Sequence, residues 1–143
     1  MIAWCIFIVL AAVAAIHVGW GLGMRWPRET EAELVRTVIG HKRDTMPSSS
    51  QCYLAALAIF IPGVIALVLA RLVQTPLPPW LVLLAGVGAA LVFGGRGIAG
   101  YVPAWRARHP REPFASLDRR YYSPLCLLLA AGLIALLVNG MRN

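Results

Sequence analysis

Three side chains in this sequence of 143 residues combine a chemically active type with an unusual position. His17 lies inside an apolar run without charges, Arg96 lies among glycines, and Asp118 is followed by two arginines. An imidazole can exchange a proton near neutral pH, and a guanidinium can hold a carboxylate or phosphate through two hydrogen bonds. Ionisable groups at membrane depth are costly and are functional candidates by default. These residues therefore predict either acid–base chemistry or the binding of an anion.

The composition predicts that these residues belong to a membrane protein. Hydrophobic residues make up 59% of the chain and charged residues 13%, against roughly 45–50% and about 25% in soluble domains. A chain this short has too little interior to bury so much apolar surface. The composition therefore excludes a soluble monomer and favours lipid as the surroundings of the apolar side chains.

Four apolar stretches are long enough to cross a bilayer as helices, because a span needs about 20 residues at a rise of 1.5 Å each. We predict helices over residues 1–23, 52–71, 80–95 and 123–139, joined by long loops over 24–51 and 96–122. None of the stretches alternates with the period of two that a barrel strand requires. The predicted fold is all-α: a polytopic membrane protein with one domain of four transmembrane helices.

The basic residues are concentrated in the two long loops, which hold eleven of them: Arg25, Arg28, Arg36, Lys42, Arg43, Arg96, Arg106, Arg108, Arg111, Arg119 and Arg120. Only Arg71 and Arg142 lie elsewhere. Lys and Arg accumulate in cytoplasmic loops, which puts both loops in the cytoplasm and both termini on the opposite side. The predicted partner of this charge is the anionic head groups of the cytoplasmic leaflet. Nucleic acid is not predicted, since no stacking aromatics alternate with the basic residues.

Local signals predict short elements in the loops. Thr30 and Glu33 form a capping box, and apolar residues at helical spacing follow, which predicts a short amphipathic interfacial helix in the first loop. Three prolines argue against a long helix in the second loop. Ser123 followed by Pro124 is typical of an N-cap and first helical residue, so the fourth helix is predicted to begin there.

This topology brings seven ligand-binding candidates toward one end of the bundle: His17, Trp20, Arg96, Tyr101, Asp118, Arg119 and Tyr122. In one interpretation Asp118 pairs with Arg96 or a neighbouring arginine, His17 donates to a backbone carbonyl, and the cluster fixes three helices. In the other, a water-filled pocket uses Arg96, His17 and the start of the fourth helix to hold an anionic group. No metal site, cofactor or catalytic residue is assigned, because the cysteines and histidines lack a metal-ligand spacing.

Small residues at every fourth position form a ridge on the first helix: Ala11, Ala15, Gly19 and Gly23. Such ridges let transmembrane helices approach closely. At 100° per residue, His17 points roughly opposite Ala15, so two faces of this helix should avoid lipid. We predict either a central position in the bundle or a homodimer contact through the ridge.

The segment 114–126 resembles the signature of a bacterial family of small four-helix membrane proteins, domain of unknown function number 3995. The run 17–23 and the pair of Arg96 with Tyr101 are similar to further features of that family. The sequence departs from the pattern at 103–105 and in its long, acidic first loop. The resemblance implies a four-helix protein of the bacterial inner membrane, with periplasmic termini, and it implies no activity.

Three functions are compatible with these features. The preferred one is a binding or accessory module whose cytoplasm-facing polar pocket holds an anionic lipid head group or a small metabolite. The second is a small membrane-embedded enzyme for a lipid-soluble substrate, with His17 or Asp118 as acid–base group and Arg96 as anion clamp. The third is a dimeric small-molecule transporter, which would require a polar path across the bilayer.

Overall fold

A computed structural model describes residues 1–41 and 45–142, and this part of the chain is helical and contains no strand. The helices are α1 (Ile2–Gly21), α2 (Glu31–Val38), α3 (Ser49–Leu69), α4 (Pro79–Ala99), α5 (Pro103–Arg108), α6 (Phe114–Leu117) and α7 (Ser123–Arg142), with a π-helical turn (Asp118–Tyr122) between the last two. Lys42 and Arg43, two of the basic loop residues, lie outside the described ranges. The all-α prediction with four helices of membrane-spanning length is confirmed.

The four long helices form two pairs. α1 packs mainly against α3, α4 packs mainly against α7, and contacts between α3 and α4 join the pairs. The two long connections meet at one end of the bundle, where α2 contacts α6. We call this the loop end (residues 22–41, 45–48 and 96–123) and the remainder of the four long helices the membrane-spanning body.

The interior of the membrane-spanning body is apolar. Leu10 of α1 and Leu133 of α7 are among its most deeply buried side chains, and Ala66 of α3 is fully covered. Large apolar side chains such as Leu91 and Leu128 point outward instead, with about 70% of their surface exposed (70% and 71%). An outer surface of this kind is stable against lipid hydrocarbon and would be an aggregation hazard in water.

The predicted helix of the first loop is present as α2. Thr30 Oγ1 accepts the amide of Glu33 at 3.3 Å, and the Glu33 carboxylate accepts the amide of Thr30 at 3.4 Å, so the capping box is formed. Leu34 and Val35 are buried against the protein itself. The apolar face of α2 is therefore covered by the rest of the loop end, where the sequence suggested contact with the membrane surface.

The fourth membrane-spanning helix begins earlier than predicted. It starts at Phe114, and Ser123 lies in its interior, continuous with α7 through the π-helical turn. The amide of Ser123 donates to the carbonyl of Asp118, five residues back. Pro124 has no amide hydrogen and would clash with a carbonyl in an uninterrupted α-helix. The wider π turn accommodates this proline inside the helix, so the prediction of an N-cap at Ser123 was wrong.

The π-helical turn leaves the carbonyl of Arg119 without its usual amide donor. In an α-helix Ser123 would donate to it, and in a π-helix Pro124 would do so but cannot. The hydroxyl of Tyr101 donates to this carbonyl at 3.2 Å. Tyr101 follows the end of α4, so this hydrogen bond joins the ends of the two paired helices. α4 itself continues to Ala99, which puts Arg96 in its last turn and not in a loop.

Candidate functional site

An ion pair between α4 and the π-helical turn is the centre of the loop end. Arg96 Nη2 lies 2.6 Å from Asp118 Oδ1. The Ser123 hydroxyl donates to the same carboxylate oxygen at 3.2 Å and accepts from Arg96 Nη1 at 3.4 Å. Asp118 is 3% exposed and Ser123 is fully buried, so the pair is shielded from water on the carboxylate side.

Trp105 of α5 completes this arrangement. Its indole Nε1 donates to Asp118 Oδ2 at 3.0 Å, so both carboxylate oxygens have donors. The Arg96 guanidinium carbon also lies 4.7 Å from the centre of the Trp105 ring, in cation–π geometry. We call Arg96, Trp105, Asp118 and Ser123 the Asp118 cluster. A buried charge needs this degree of pairing and hydrogen bonding to be tolerated.

Gly100 makes room for the Asp118 cluster. A Cβ atom at this position would overlap the Ser123 hydroxyl and lie 3.1 Å from Asp118 Oδ2. The chain leaves α4 at this residue and turns toward α5. Glycine is therefore needed here for close approach, because any larger residue would push Ser123 or the carboxylate out of position.

A pocket of about 310 Å³ opens beside the Asp118 cluster at the loop end. Its lining includes Trp105, Arg106, His109, Glu112 and Asp118. This volume is at the lower end of the range for small-molecule sites. We call it the loop pocket. It combines an aromatic wall with cationic and anionic side chains, the composition expected of a site for a small polar ligand.

The imidazole of His109 has a defined position in the loop pocket. Its Nδ1 lies 3.0 Å from the carbonyl of Trp105, and because a carbonyl can only accept, Nδ1 carries the hydrogen. The ring stacks on the Trp105 indole with centres 4.1 Å apart and also contacts His41 and Phe114. The other ring nitrogen, Nε2, is therefore the one that a ligand in the loop pocket could contact.

The first loop is attached to the second by its own set of contacts. The Tyr122 hydroxyl donates to the carbonyl of Thr37 at 3.3 Å, which joins the two loops, and within the first loop Arg28 Nε donates to the Thr37 hydroxyl at 2.9 Å. Gly40, with a φ of +67°, ends this segment directly against the ring of Phe114. The described parts of the two loops thus pack together, and α2 contacts α6, which lies at one side of the loop pocket.

The seven predicted candidates fall into separate groups. Arg96 and Asp118 form the ion pair, Tyr101 and Arg119 meet next to it, and Tyr122 faces α2. The remaining two interact near the end of α1. The His17 ring lies 4.8 Å from that of Trp20, its Nδ1 is 2.8 Å from the Val13 carbonyl, and Trp20 Nε1 donates to the Trp26 carbonyl at 2.8 Å.

Sequence reasoning did not select Trp105, His109 or Ser123 as site residues. The spacing of Trp105 and His109 was an available signal, because residues four apart share one face of a helix. Pro103 at the first turn of α5 was a second signal, since proline favours that position. Ser123 gave no comparable signal, because its role depends on the π-helical turn.

The comparisons with known proteins bear on this geometry. No curated protein and no solved structure matches the chain significantly. The family described as "Protein of unknown function (DUF3995)" matches residues 10–133. The matched range contains the whole loop end, including the Asp118 cluster and the loop pocket. This range covers most of the 143 residues, so the chain belongs to the DUF3995 family, as the sequence resemblance predicted.

Proposed function

We propose that this protein is a binding or accessory module of the bacterial inner membrane, whose loop pocket opens to the cytoplasm and holds an anionic group. The group would be the phosphate of a lipid head group or of a small metabolite. The observation that carries the proposal is the loop pocket itself, with Arg106 and His109 in its lining beside a carboxylate that is already neutralised.

The distribution of charge supports the cytoplasmic orientation. Nine arginines lie at or next to the loop end within the described ranges: Arg25, Arg28, Arg36, Arg96, Arg106, Arg108, Arg111, Arg119 and Arg120. Arg71 lies in the connection at the other end of α3. Basic loops of this length are retained on the cytoplasmic side. The same charge would attract anionic ligands and lipid head groups toward the pocket entrance.

Arg96 and Arg106 have different roles in this proposal, because of these two only Arg96 forms an ion pair with a carboxylate of the described residues. The charge of Arg96 is compensated by Asp118 at 2.6 Å, so in this proposal Arg96 fixes the position of Trp105 and the carboxylate. Arg106 lines the loop pocket and carries the anion-binding role that the sequence suggested for Arg96. His109, held by Trp105, lines the same pocket.

The membrane-spanning body supports binding more than transport. The buried polar side chains of the described residues are Thr37, Asp118 and Ser123, and all three lie at or next to the loop end. A transporter requires polar groups along a path across the membrane, and the described core below the loop end is apolar. The homodimer contact through the α1 ridge remains a proposal; Met24 of the same chain covers Gly19 of that ridge.

The proposal is tested by comparing Arg106→Ala with Arg108→Ala in the full-length protein in detergent. Both residues belong to α5 and both variants lose one positive charge, but only Arg106 lines the loop pocket. Binding of a short-chain phosphatidylglycerol and of inorganic phosphate is measured by thermophoresis. Arg106→Ala should weaken binding about tenfold or more, because a charge-assisted hydrogen bond is lost. Arg108→Ala should change it less than about twofold.

Equal weakening in the two variants would show a diffuse electrostatic effect and would contradict a specific pocket. If the unsubstituted protein bound neither phosphatidylglycerol, nor inorganic phosphate, nor the zwitterionic phosphatidylethanolamine, the proposal would be removed altogether.

A further inference from the structure

We infer that the ligand of the loop pocket is a zwitterion, a phosphate joined to a primary ammonium, with the ammonium bound by Glu112 and the phosphate by Arg106. This inference rests on the proposed function and specifies the class of its ligand. It follows from the charges in the lining and from the contacts that each already makes.

The anionic side chains of the loop pocket are not equivalent. Asp118 accepts hydrogen bonds on both carboxylate oxygens, from Arg96, Ser123 and Trp105. It has no remaining charge to attract a cation. Glu112 accepts one hydrogen bond, from the amide of Ser116 to Oε2 at 3.2 Å. Its Oε1 accepts none from the part of the chain that the structure describes.

Glu112 therefore presents a negative charge to the loop pocket, and the Ser116 amide fixes the orientation of its carboxylate. A ligand that is only anionic would be attracted by Arg106 and repelled by Glu112. A ligand that carries both signs satisfies both side chains, and complementary charge of this kind is a source of specificity. The mixed lining is thus explained by a zwitterion better than by a simple anion.

The aromatic contacts indicate which type of ammonium fits. Quaternary ammonium groups are recognised by open aromatic faces, because they have no hydrogen to donate. The ring of Trp105 is already in contact with the Arg96 guanidinium at 4.7 Å and with the His109 ring at 4.1 Å. A primary ammonium has three donors and needs an acceptor instead. Glu112 is such an acceptor, so an ethanolamine-type group is favoured over a choline-type group.

This chemistry has two sources, a phospholipid head group and a free aminoalkyl phosphate. Gly100, which lines the loop pocket, directly follows the end of the membrane-spanning α4. A pocket at this level can be reached by a head group whose chains remain in the bilayer and also from the aqueous side. The experiment therefore includes both sources.

The deciding variant is Glu112→Gln, which removes the charge and keeps an oxygen that can accept the Ser116 amide. Glu29→Gln is the matched control, because Glu29 is an exposed carboxylate of the first loop, outside the lining of the loop pocket. The probes are short-chain phosphatidylethanolamine, short-chain phosphatidylcholine and soluble phosphoethanolamine, titrated onto the full-length protein in detergent. Thermal unfolding of each variant confirms that it is folded.

We expect the unsubstituted protein and Glu29→Gln to prefer the ethanolamine lipid over the choline lipid by about tenfold. Glu112→Gln should abolish the preference and leave choline-lipid binding unchanged. Soluble phosphoethanolamine binding as tightly as the lipid would identify a free metabolite; much weaker binding would identify a head group.

A preference that is absent from the unsubstituted protein, or that persists in Glu112→Gln, would overturn the zwitterion. In that case binding of phosphatidylglycerol that still depends on Arg106 would leave the proposed function intact. Loss of all binding would remove both.

Discussion

The loop end and the membrane-spanning body are stabilised by different types of interaction. In the body, side chains such as Leu10 and Leu133 pack against small residues, and the described interior contains no buried charge. At the loop end a buried carboxylate is held by Arg96, Trp105 and Ser123. Buried ion pairs contribute little net stability compared with apolar packing, but they define geometry. Among the described residues, the buried polar side chains are therefore concentrated at one end of the molecule, and the four spans of the body pack through apolar contacts.

The largest expected effect tests whether the loop end and the C-terminus lie on opposite sides of the membrane. A periplasm-dependent reporter, alkaline phosphatase, should be active when fused to the C-terminus and inactive when inserted after Glu112 in the second loop. A fluorescent protein at the same two positions should give the reverse pattern and controls for expression. Activity of the phosphatase at the loop position would reverse the proposed orientation and remove the cytoplasmic pocket.

The next largest effect tests whether the Arg96–Asp118 ion pair stabilises the loop end. Asp118→Asn keeps the shape of the side chain and leaves Arg96, 28% exposed, without its counter-charge. Breaking a buried pair on one side should lower the free energy of unfolding by about 2–4 kcal/mol. The measurement is unfolding of the protein in detergent, followed by tryptophan fluorescence.

Arg120→Gln is the control for this variant, since Arg120 is exposed and its guanidinium lies over the ring of the neighbouring Tyr121. Its free energy of unfolding should change by less than about 0.5 kcal/mol. A similar loss in both variants would mean that overall charge, and not the ion pair, stabilises the loop end.

A smaller change in stability is expected when Gly100 is replaced, and Gly95 provides the comparison. Gly100→Ala should destabilise the protein by about 1–3 kcal/mol, because the added methyl group overlaps the Ser123 hydroxyl. Gly95→Ala, in α4, places its methyl group in open space and should be neutral or stabilising by up to about 1 kcal/mol. Thermal unfolding of both variants is the measurement, and equal stability would show that the Asp118 cluster can shift to admit a side chain.

The smallest effect is expected for His17. Its Nδ1 hydrogen-bonds to Val13 of the same helix and its ring contacts Trp20, so no other helix depends on it for a polar contact in the described residues. His17→Ala should change the free energy of unfolding by less than about 1 kcal/mol and leave phosphatidylglycerol binding within about twofold. Loss of binding in this variant would indicate that the binding site lies in the membrane-spanning body and not at the loop end.

The sequence analysis was most accurate for features that depend on residues close together in the chain. Apolar length gives the four spans, and the spacing of Thr30 and Glu33 gives the capping box. The pairing of Arg96 with Asp118 was one of two interpretations, and the ion pair is present. The spans and the capping box follow from hydrophobicity and local hydrogen bonding, which do not require the relative position of distant segments. The ion pair joins residues 22 positions apart, and its prediction used the threading of the helices together with the two charges.

Features that depend on the arrangement of the folded chain were predicted less well. Ser123 followed by Pro124 has the local pattern of a helix start, yet the π-helical turn carries the helix through both residues. His17 shares an end of the bundle with Asp118, but threading does not fix the direction in which a helix faces. Trp105 was visible only as an aromatic residue in a proline-rich segment, and its bond to Asp118 requires the fold of α5.

The π-helical turn has a geometric consequence for the Asp118 cluster. In a regular α-helix two residues five positions apart point in directions that differ by about 140°. Asp118 and Ser123 are five apart, yet their side chains are joined by a hydrogen bond of 3.2 Å. The turn thus acts as a one-residue insertion that rotates everything before it, including Phe114, relative to the membrane-spanning part. If the same residues formed a regular α-helix, the Asp118 carboxylate would face away from Ser123, whereas deleting one residue between the two would place them four positions apart and keep them on one face of the helix.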